Sequence, residues 1–135
     1  MNTFPKKEHL YGEKNITRLH EQGTVFMSFP FRVVHMLAGE DEIIPVRMMV
    51  SVPKKRFKLA VKRNRIKRLI RENYRLNKME IIDFAIAHDL KLYISFQYVS
   101  NDIETFEMIN KRMKNAIKKL MYIYQKPDQK PDEND

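Results

Sequence analysis

The feature that most constrains this chain is a 22-residue stretch, Lys54 to Arg75, that holds 11 Lys or Arg residues and one acid, Glu72. On a helical wheel at about 100° per residue, Ile66, Leu69, Ile70 and Tyr74 fall in one arc. Asn64, Lys67, Arg68, Arg71 and Arg75 fall in the opposite arc. A helix with this pattern must dock one face on an apolar partner and leave the other to solvent or to a polyanion. Lys54, Lys55, Arg56 and Lys58 carry the cationic row into the segment before the helix. Crowding cations on one face opposes folding by mutual repulsion. The whole chain of 135 residues carries +9, whereas this stretch alone carries +10 and the remainder −1. Charge concentrated in this way is an electrostatic footprint for a polyanion rather than a solubility device. Solvated helix faces usually mix signs, and this one does not. Arg predominates over Lys at its centre, which suits bidentate phosphate contact and stacking on bases.

Around that helix the periodicities predict an α+β fold. Phe31 to Leu37, Val46 to Val52 and Leu90 to Tyr98 alternate apolar and mixed residues and are predicted as strands. The acidic, Gly-containing segment Gly39-Glu40-Asp41-Glu42 predicts an antiparallel pairing of the first two. Helices are predicted over about Glu13 to Gln22 with Gly23 as C-cap, over Leu59 to Asn77, and over Asp102 to Tyr124. The last opens on a capping-box pattern, Asn101-x-x-Glu104, and carries an apolar stripe through Ile103, Phe106, Met113, Ile117, Leu120 and Tyr124. Residues 79–88 read as a helical extension or a loop. The order αββαβα implies a single-domain two-layer α/β sandwich over residues 4–125, its sheet covered on one side. The charged, Pro-containing stretch KPDQKPDEND, residues 126–135, is expected to be a disordered tail.

Several chemistries are excluded by residue type. Cysteine is absent, so there is no disulfide, zinc ribbon or thiol nucleophile. With 3 Gly in the chain, Gly-rich phosphate loops fail. His9, His20, His35 and His88 lack metal-ligand spacing, and His35 on a strand reads as structural. Asp102, Glu104 and Glu107 sit where acids favour a helix dipole. Most of the 9 Met occupy strand or helix positions as core filler. Lys111, Arg112, Lys114, Lys118 and Lys119 read as the solvent face of the last helix. The N-terminal residues form no secretory h-region, and no apolar run reaches the roughly 20 residues of a membrane helix. A cytoplasmic protein is the expectation. Strands precede the basic helix, so a helix-turn-helix DNA reader does not fit and no DNA partner is expected. The helix also lacks the large aromatics of a membrane-surface helix, Tyr74 apart.

The run Ala60-Val61-Lys62-Arg63-Asn64-Arg65-Ile66-Lys67-Arg68-Leu69-Ile70-Arg71-Glu72 resembles the RNR motif of the bacterial ribonuclease P protein component. Ser51-Val52-Pro53-Lys54-Lys55 resembles that family's strand-and-loop lead-in. The resemblance covers roughly Phe4 to Tyr124. It implies a compact α/β sandwich with the basic helix in a left-handed crossover. It also implies a protein that assists a catalytic RNA in removing the 5′ leader of precursor tRNA. On matching positions, Arg63, Asn64, Arg65, Lys67, Arg68 and Arg71 would contact the catalytic RNA, with Lys54 and Lys55 joining them.

The family's second surface, a cleft between the first helix and the sheet, would receive the leader. Here Ile16 and His20 stand where many members have aromatics, and Val34 stands for a frequent tyrosine. Of these only His20 can stack on a base, while Arg32 and Arg47 are expected to hold leader phosphates. The resemblance implies no catalytic residue, no metal and no cofactor on the protein, with Mg2+ entering through the RNA. The alternative is a non-enzymatic structured-RNA-binding protein such as a ribosomal protein, which charge alone does not exclude.

Overall fold

The computed structural model describes residues 4–125; the stretch read as a disordered tail lies outside them. The elements are α1 (Glu13–Gln22), β1 (Thr24–Ser28), β2 (Phe31–Leu37), β3 (Val46–Ser51), α2 (Ala60–Ala87), β4 (Leu92–Tyr98) and α3 (Phe106–Tyr124). They form one four-stranded sheet of order β1-β2-β4-β3 with three helices. The predicted α+β order holds with one strand added. β1 pairs antiparallel with β2, burying Phe26 while Thr24, Val25 and Met27 stay exposed.

The predicted pairing of β2 with β3 is not made: β4 lies between them, antiparallel to β2 and parallel to β3. Two causes act together. Six of the seven β4 residues are buried, so this strand belongs at the sheet's centre. Residues 38–45 are also longer than a tight hairpin loop. Instead Glu42 folds back to take hydrogen bonds from the Ile44 N–H, the Arg47 guanidinium and the Tyr93 hydroxyl. The parallel β3–β4 connection runs through α2, so the basic helix is a crossover.

One sheet face packs on α2 and α3. Ile66, Ile70, Tyr74 and Ile81 of α2 and Ile109, Met113, Ile117 and Leu120 of α3 meet Phe31, Val33, Met48, Ile94 and Phe96 of the strands. The wheel therefore holds: the arc assigned to the core is the arc that is buried. The other face is not bare, as the expected one-sided cover would leave it. Leu19 of α1 seats with Leu10 on Val34 and Tyr93, with Ile16, Met36 and Met49 around them. Gly23, at the join of α1 and β1, is demanded by close approach: a Cβ there would lie 2.5 Å from the Leu19 carbonyl oxygen and 2.8 Å from Val34 Cγ1.

α2 continues through residues 79–87, resolving that segment as helix, and spans about 42 Å. It ends in a Schellman motif: the Leu90 N–H donates to the Ala85 carbonyl (2.8 Å) and the Asp89 N–H to that of Ile86 (3.2 Å). Asp89 takes the left-handed conformation at φ 54° that glycine usually supplies. α3 starts later than predicted. Its N-cap is Thr105, whose hydroxyl accepts from the Met108 N–H at 3.1 Å. Glu104 is drawn off by the Ser100 hydroxyl at 2.8 Å, so the Asn101-x-x-Glu104 box does not form.

His35 is buried on the core face with Nδ1 2.7 Å from the Tyr124 hydroxyl, and burial pushes its pKa down to about 4. Residues 4–10 form a strap, including a 3-10 turn at Lys6–Glu8, that crosses from α2 to the β3 edge. Glu8 pairs with the buried Lys78 ammonium at 2.6 Å, and the Leu10 N–H donates to the Met48 carbonyl at 2.9 Å.

Candidate RNA interface

The lead-in to α2 is a built turn. The Arg56 and Phe57 N–H groups both donate to the Pro53 carbonyl, at 3.2 and 3.3 Å. Phe57 is buried against Tyr98, and Arg56 Nη1 donates to Asn101 Oδ1 at 2.6 Å. This leaves Lys54 and Lys55 exposed at the turn, in line with the helix. Of the residues assigned to the catalytic RNA, Asn64, Arg65, Arg68 and Arg71 are exposed and Arg63 and Lys67 half-buried. Arg63 also serves the fold itself, because its Nη1 donates to the carbonyls of Phe57 (2.8 Å) and Lys58 (2.9 Å) and so ties the lead-in to the helix.

The single acid of the stretch is spent on one neighbour. Glu72 pairs with Arg75 in an i,i+3 arrangement, and that hydrogen bond holds its carboxyl below the usual range. Among the described residues, no carboxylate lies within ion-pair distance of Lys54, Lys55, Arg65, Lys67, Arg68 or Arg71. Apart from Glu72, which is paired with Arg75 and borders the cavities on both flanks, the face carries positive charge only. It forms a ridge between two open cavities of about 490 Å³ each, one towards Ile103 and Phe106 and the other towards Phe4 and His9.

The second candidate surface is the sheet face not fully covered by α1. Strand register sets Met27, Arg32, Gln97 and Ser51 in one row across all four strands. Arg32 Nη1 donates to Gln97 Oε1 at 2.6 Å, and Gln97 Nε2 donates to His20 Nε2 at 3.2 Å. Two of the residues expected to line the cleft are thus joined by a third, Gln97, that sequence reasoning misses. Its signal is present in the alternation of the last strand, but only the register puts it opposite Arg32.

The other expected cleft residues are placed differently. Val34 is 1% exposed beneath Leu19, so it is core to α1 packing. Ile16 is half-buried in the same cluster. Arg47 sits four residues along β3 from the open row, about 13 Å away, and its guanidinium is engaged. Its Nε donates to Glu42 at 2.8 Å and its Nη1 to the Lys7 and His9 carbonyls. The Glu42 hydrogen bond raises its pKa further. Arg47 secures the strap rather than standing open beside Arg32.

A cationic helix ridge on one side and a polar, partly open sheet row on the other define an α+β RNA-binding protein. The family model for ribonuclease P matches residues 4–121. The chain is 39% identical over 112 residues to a ribonuclease P protein component of Porphyromonas gingivalis, covering 83% of this chain and 82% of that protein. It is 31% identical over 130 residues to that of Chlorobaculum tepidum, covering 89% and 84%. Among solved structures it is similar to the Staphylococcus aureus RNase P protein, at TM-score 0.64 and 25% identity over 84% of this chain and 94% of that one. The Thermotoga maritima RNase P protein shares the fold, at TM-score 0.65 and 21% identity over 83% and 96%. The chain belongs to the bacterial ribonuclease P protein family. Membership places it on the protein side of an endoribonuclease complex that includes an RNA, and not among ribosomal proteins.

Proposed function

We propose that the chain binds the catalytic RNA through the exposed face of α2 and the 5′ leader of precursor tRNA through the row containing Arg32, Gln97 and His20. The observation that carries this reading is the uncompensated charge of the exposed Lys54, Lys55, Arg65, Arg68 and Arg71 and the half-buried Lys67 along one ridge. Phosphates of a folded RNA supply the counter-charge that the protein withholds from itself. On the opposite side of the sheet, His20 offers a stacking ring, Arg32 a phosphate contact and Gln97 an amide that orients both. Leader contacts of this kind favour precursor over mature tRNA, which lacks the leader.

In this reading no protein side chain acts as acid, base or nucleophile. Activation of the attacking water would be supplied by divalent ions held by the RNA, while the residues of this chain bind and orient the two RNAs. The setting is the cytoplasm, where tRNA is matured. The test is cleavage of a 5′-extended precursor tRNA by ribonuclease P RNA from the same genome, at low magnesium, with and without the protein. Protein-dependent cleavage that disappears when the RNA is omitted is the expected result. No stimulation at any magnesium or salt concentration refutes the reading.

A further inference from the structure

The strap brings an aromatic pair to the flank of the cationic ridge. The Phe4 and His9 rings stack at 3.9 Å between centroids and 17° between planes, and Phe4 meets Tyr74 of α2 edge-on at 5.3 Å. Their position is fixed from both sides. Glu8 is held by Lys78, whose side chain is only 3% exposed and which lies two turns beyond Arg71 on the same helix. His9 bridges to Met48 on the β3 edge, and the Arg47 guanidinium donates to its carbonyl at 3.3 Å.

Phe4 and His9 of the strap line the open cavity of about 490 Å³ together with Asn64, Arg68, Arg71 and Arg75 of α2. Glu72 also borders it, with its carboxylate already taken by Arg75. A second cavity of about 180 Å³ continues from Phe4, His9 and Arg71 towards Met49 and Val50. His9 further borders a space of about 500 Å³ with Lys6, Lys7 and the exposed Tyr11. An aromatic pair sharing a cavity with an amide and with two guanidiniums that have no carboxylate partner, Arg68 and Arg71, has the chemistry of a nucleotide site: a π-face for the base, cations for its phosphate, and an amide for a base edge.

We propose that the strap and α2 together form a base-accepting site, in which one unpaired nucleobase of the bound RNA stacks against His9 while Arg68 and Arg71 hold its flanking phosphate. The inference rests on the reading of the chain as a ribonuclease P subunit and adds to it a contact with a base rather than with phosphate alone. Stacking and phosphate contact differ in salt response, because only phosphate neutralisation releases counterions.

The experiment measures affinity of the full chain for ribonuclease P RNA from the same genome across a salt series, for wild type, His9→Ala, His9→Phe and Arg71→Ala. Loss of a stacked base weakens binding by about 5- to 150-fold. His9→Ala is expected to fall in that range with the salt slope unchanged, and His9→Phe to restore wild-type affinity. Arg71→Ala is expected to flatten the slope by about 0.7 to 0.9. Thermal melting of each variant checks that the fold is retained. Wild-type affinity in His9→Ala, or a loss that His9→Phe does not repair, overturns the site while leaving the subunit reading intact. Failure of the wild-type chain to bind that RNA overturns both.

Discussion

Replacing Arg65 and Arg68 by Ala tests whether the α2 ridge exists for phosphate. Of the assigned cations, Lys54, Lys55, Arg65, Lys67, Arg68 and Arg71 lack a carboxylate partner, and Arg63 is partly occupied by the Phe57 and Lys58 carbonyls. If each of the six meets one phosphate, log K against log salt has a slope of about −4 to −5. Removing two moves it to about −3 to −3.5. Between 0.1 and 0.4 M salt, wild-type affinity for ribonuclease P RNA then falls by roughly 500-fold and that of the double variant by roughly 80-fold. Filter binding or fluorescence anisotropy over that range reads both slopes. Both side chains are exposed and lie three residues apart among like charges, so the fold should not suffer. Relief of repulsion is worth about 0.2 to 0.5 kcal/mol per pair, and the variant should melt at or slightly above the wild-type temperature. An unchanged slope refutes phosphate contact by these residues. A stability loss above about 1 kcal/mol refutes their placement outside the core.

Other consequences concern the parts that hold the two surfaces in place. Burial sets His35 at about 4 against 6.5 when unfolded, so the unfolded chain takes up that proton first and stability falls as pH drops from 6.5 towards 4, by at most about 3 kcal/mol. Urea unfolding at a series of pH values should show the decline in wild type and its absence in His35→Gln; a flat wild-type profile down to about pH 4.5 contradicts it. Burial works to raise the Glu42 carboxyl, but hydrogen bonds from Arg47, Ile44 and Tyr93 outweigh it and hold the group below 4.5, so its contribution disappears only at lower pH. Gly23→Ala places a methyl against a backbone carbonyl and should cost about 1 to 3 kcal/mol by denaturant titration, with a loss under about 0.5 kcal/mol showing that α1 can shift freely. Glu8→Ala removes one partner of the buried Lys78 ammonium and should cost about 1 to 3 kcal/mol, read by the same titration; a near-neutral result would mean that the strap is not anchored there.

How far the fold could be read from sequence depends on how local each signal is. The basic helix was legible because its apolar arc, Ile66, Ile70 and Tyr74, repeats within one segment and is the arc the core receives. Its end was not, because Asp89 performs the left-handed turn that a glycine would have announced. β1 was overlooked because five residues bury only Phe26, too little alternation to register. The β2–β3 pairing failed for a different reason. Both strands are correct in themselves, but their neighbour is chosen by which strand can be buried on both faces, a property of β4. The cap of α3 likewise turned on competition: Glu104 had a better partner in Ser100 than in the backbone of Asn101.

The two candidate surfaces divide along the same line. A polyanion site requires cations where nothing in the chain neutralises them, and such an imbalance is visible as soon as charge is summed along the sequence. The sheet row is assembled from Met27, Arg32, Gln97 and Ser51, one residue from each strand, and no arithmetic on a single segment finds it. That is why Arg47 and Arg32 look equivalent by alternation while the fold gives them opposite roles. Arg32 reaches across to Gln97 in an exposed row, whereas Arg47 is drawn to Glu42 by a loop whose path the sequence does not dictate. The engaged arginine is not lost to function. By holding the Lys7 and His9 carbonyls it fixes the strap at the β3 edge, while Lys78 fixes it at α2. The strap thus ties the cationic helix to the strand that ends at Ser51 in the open row, and loosening it is expected to disturb both surfaces together.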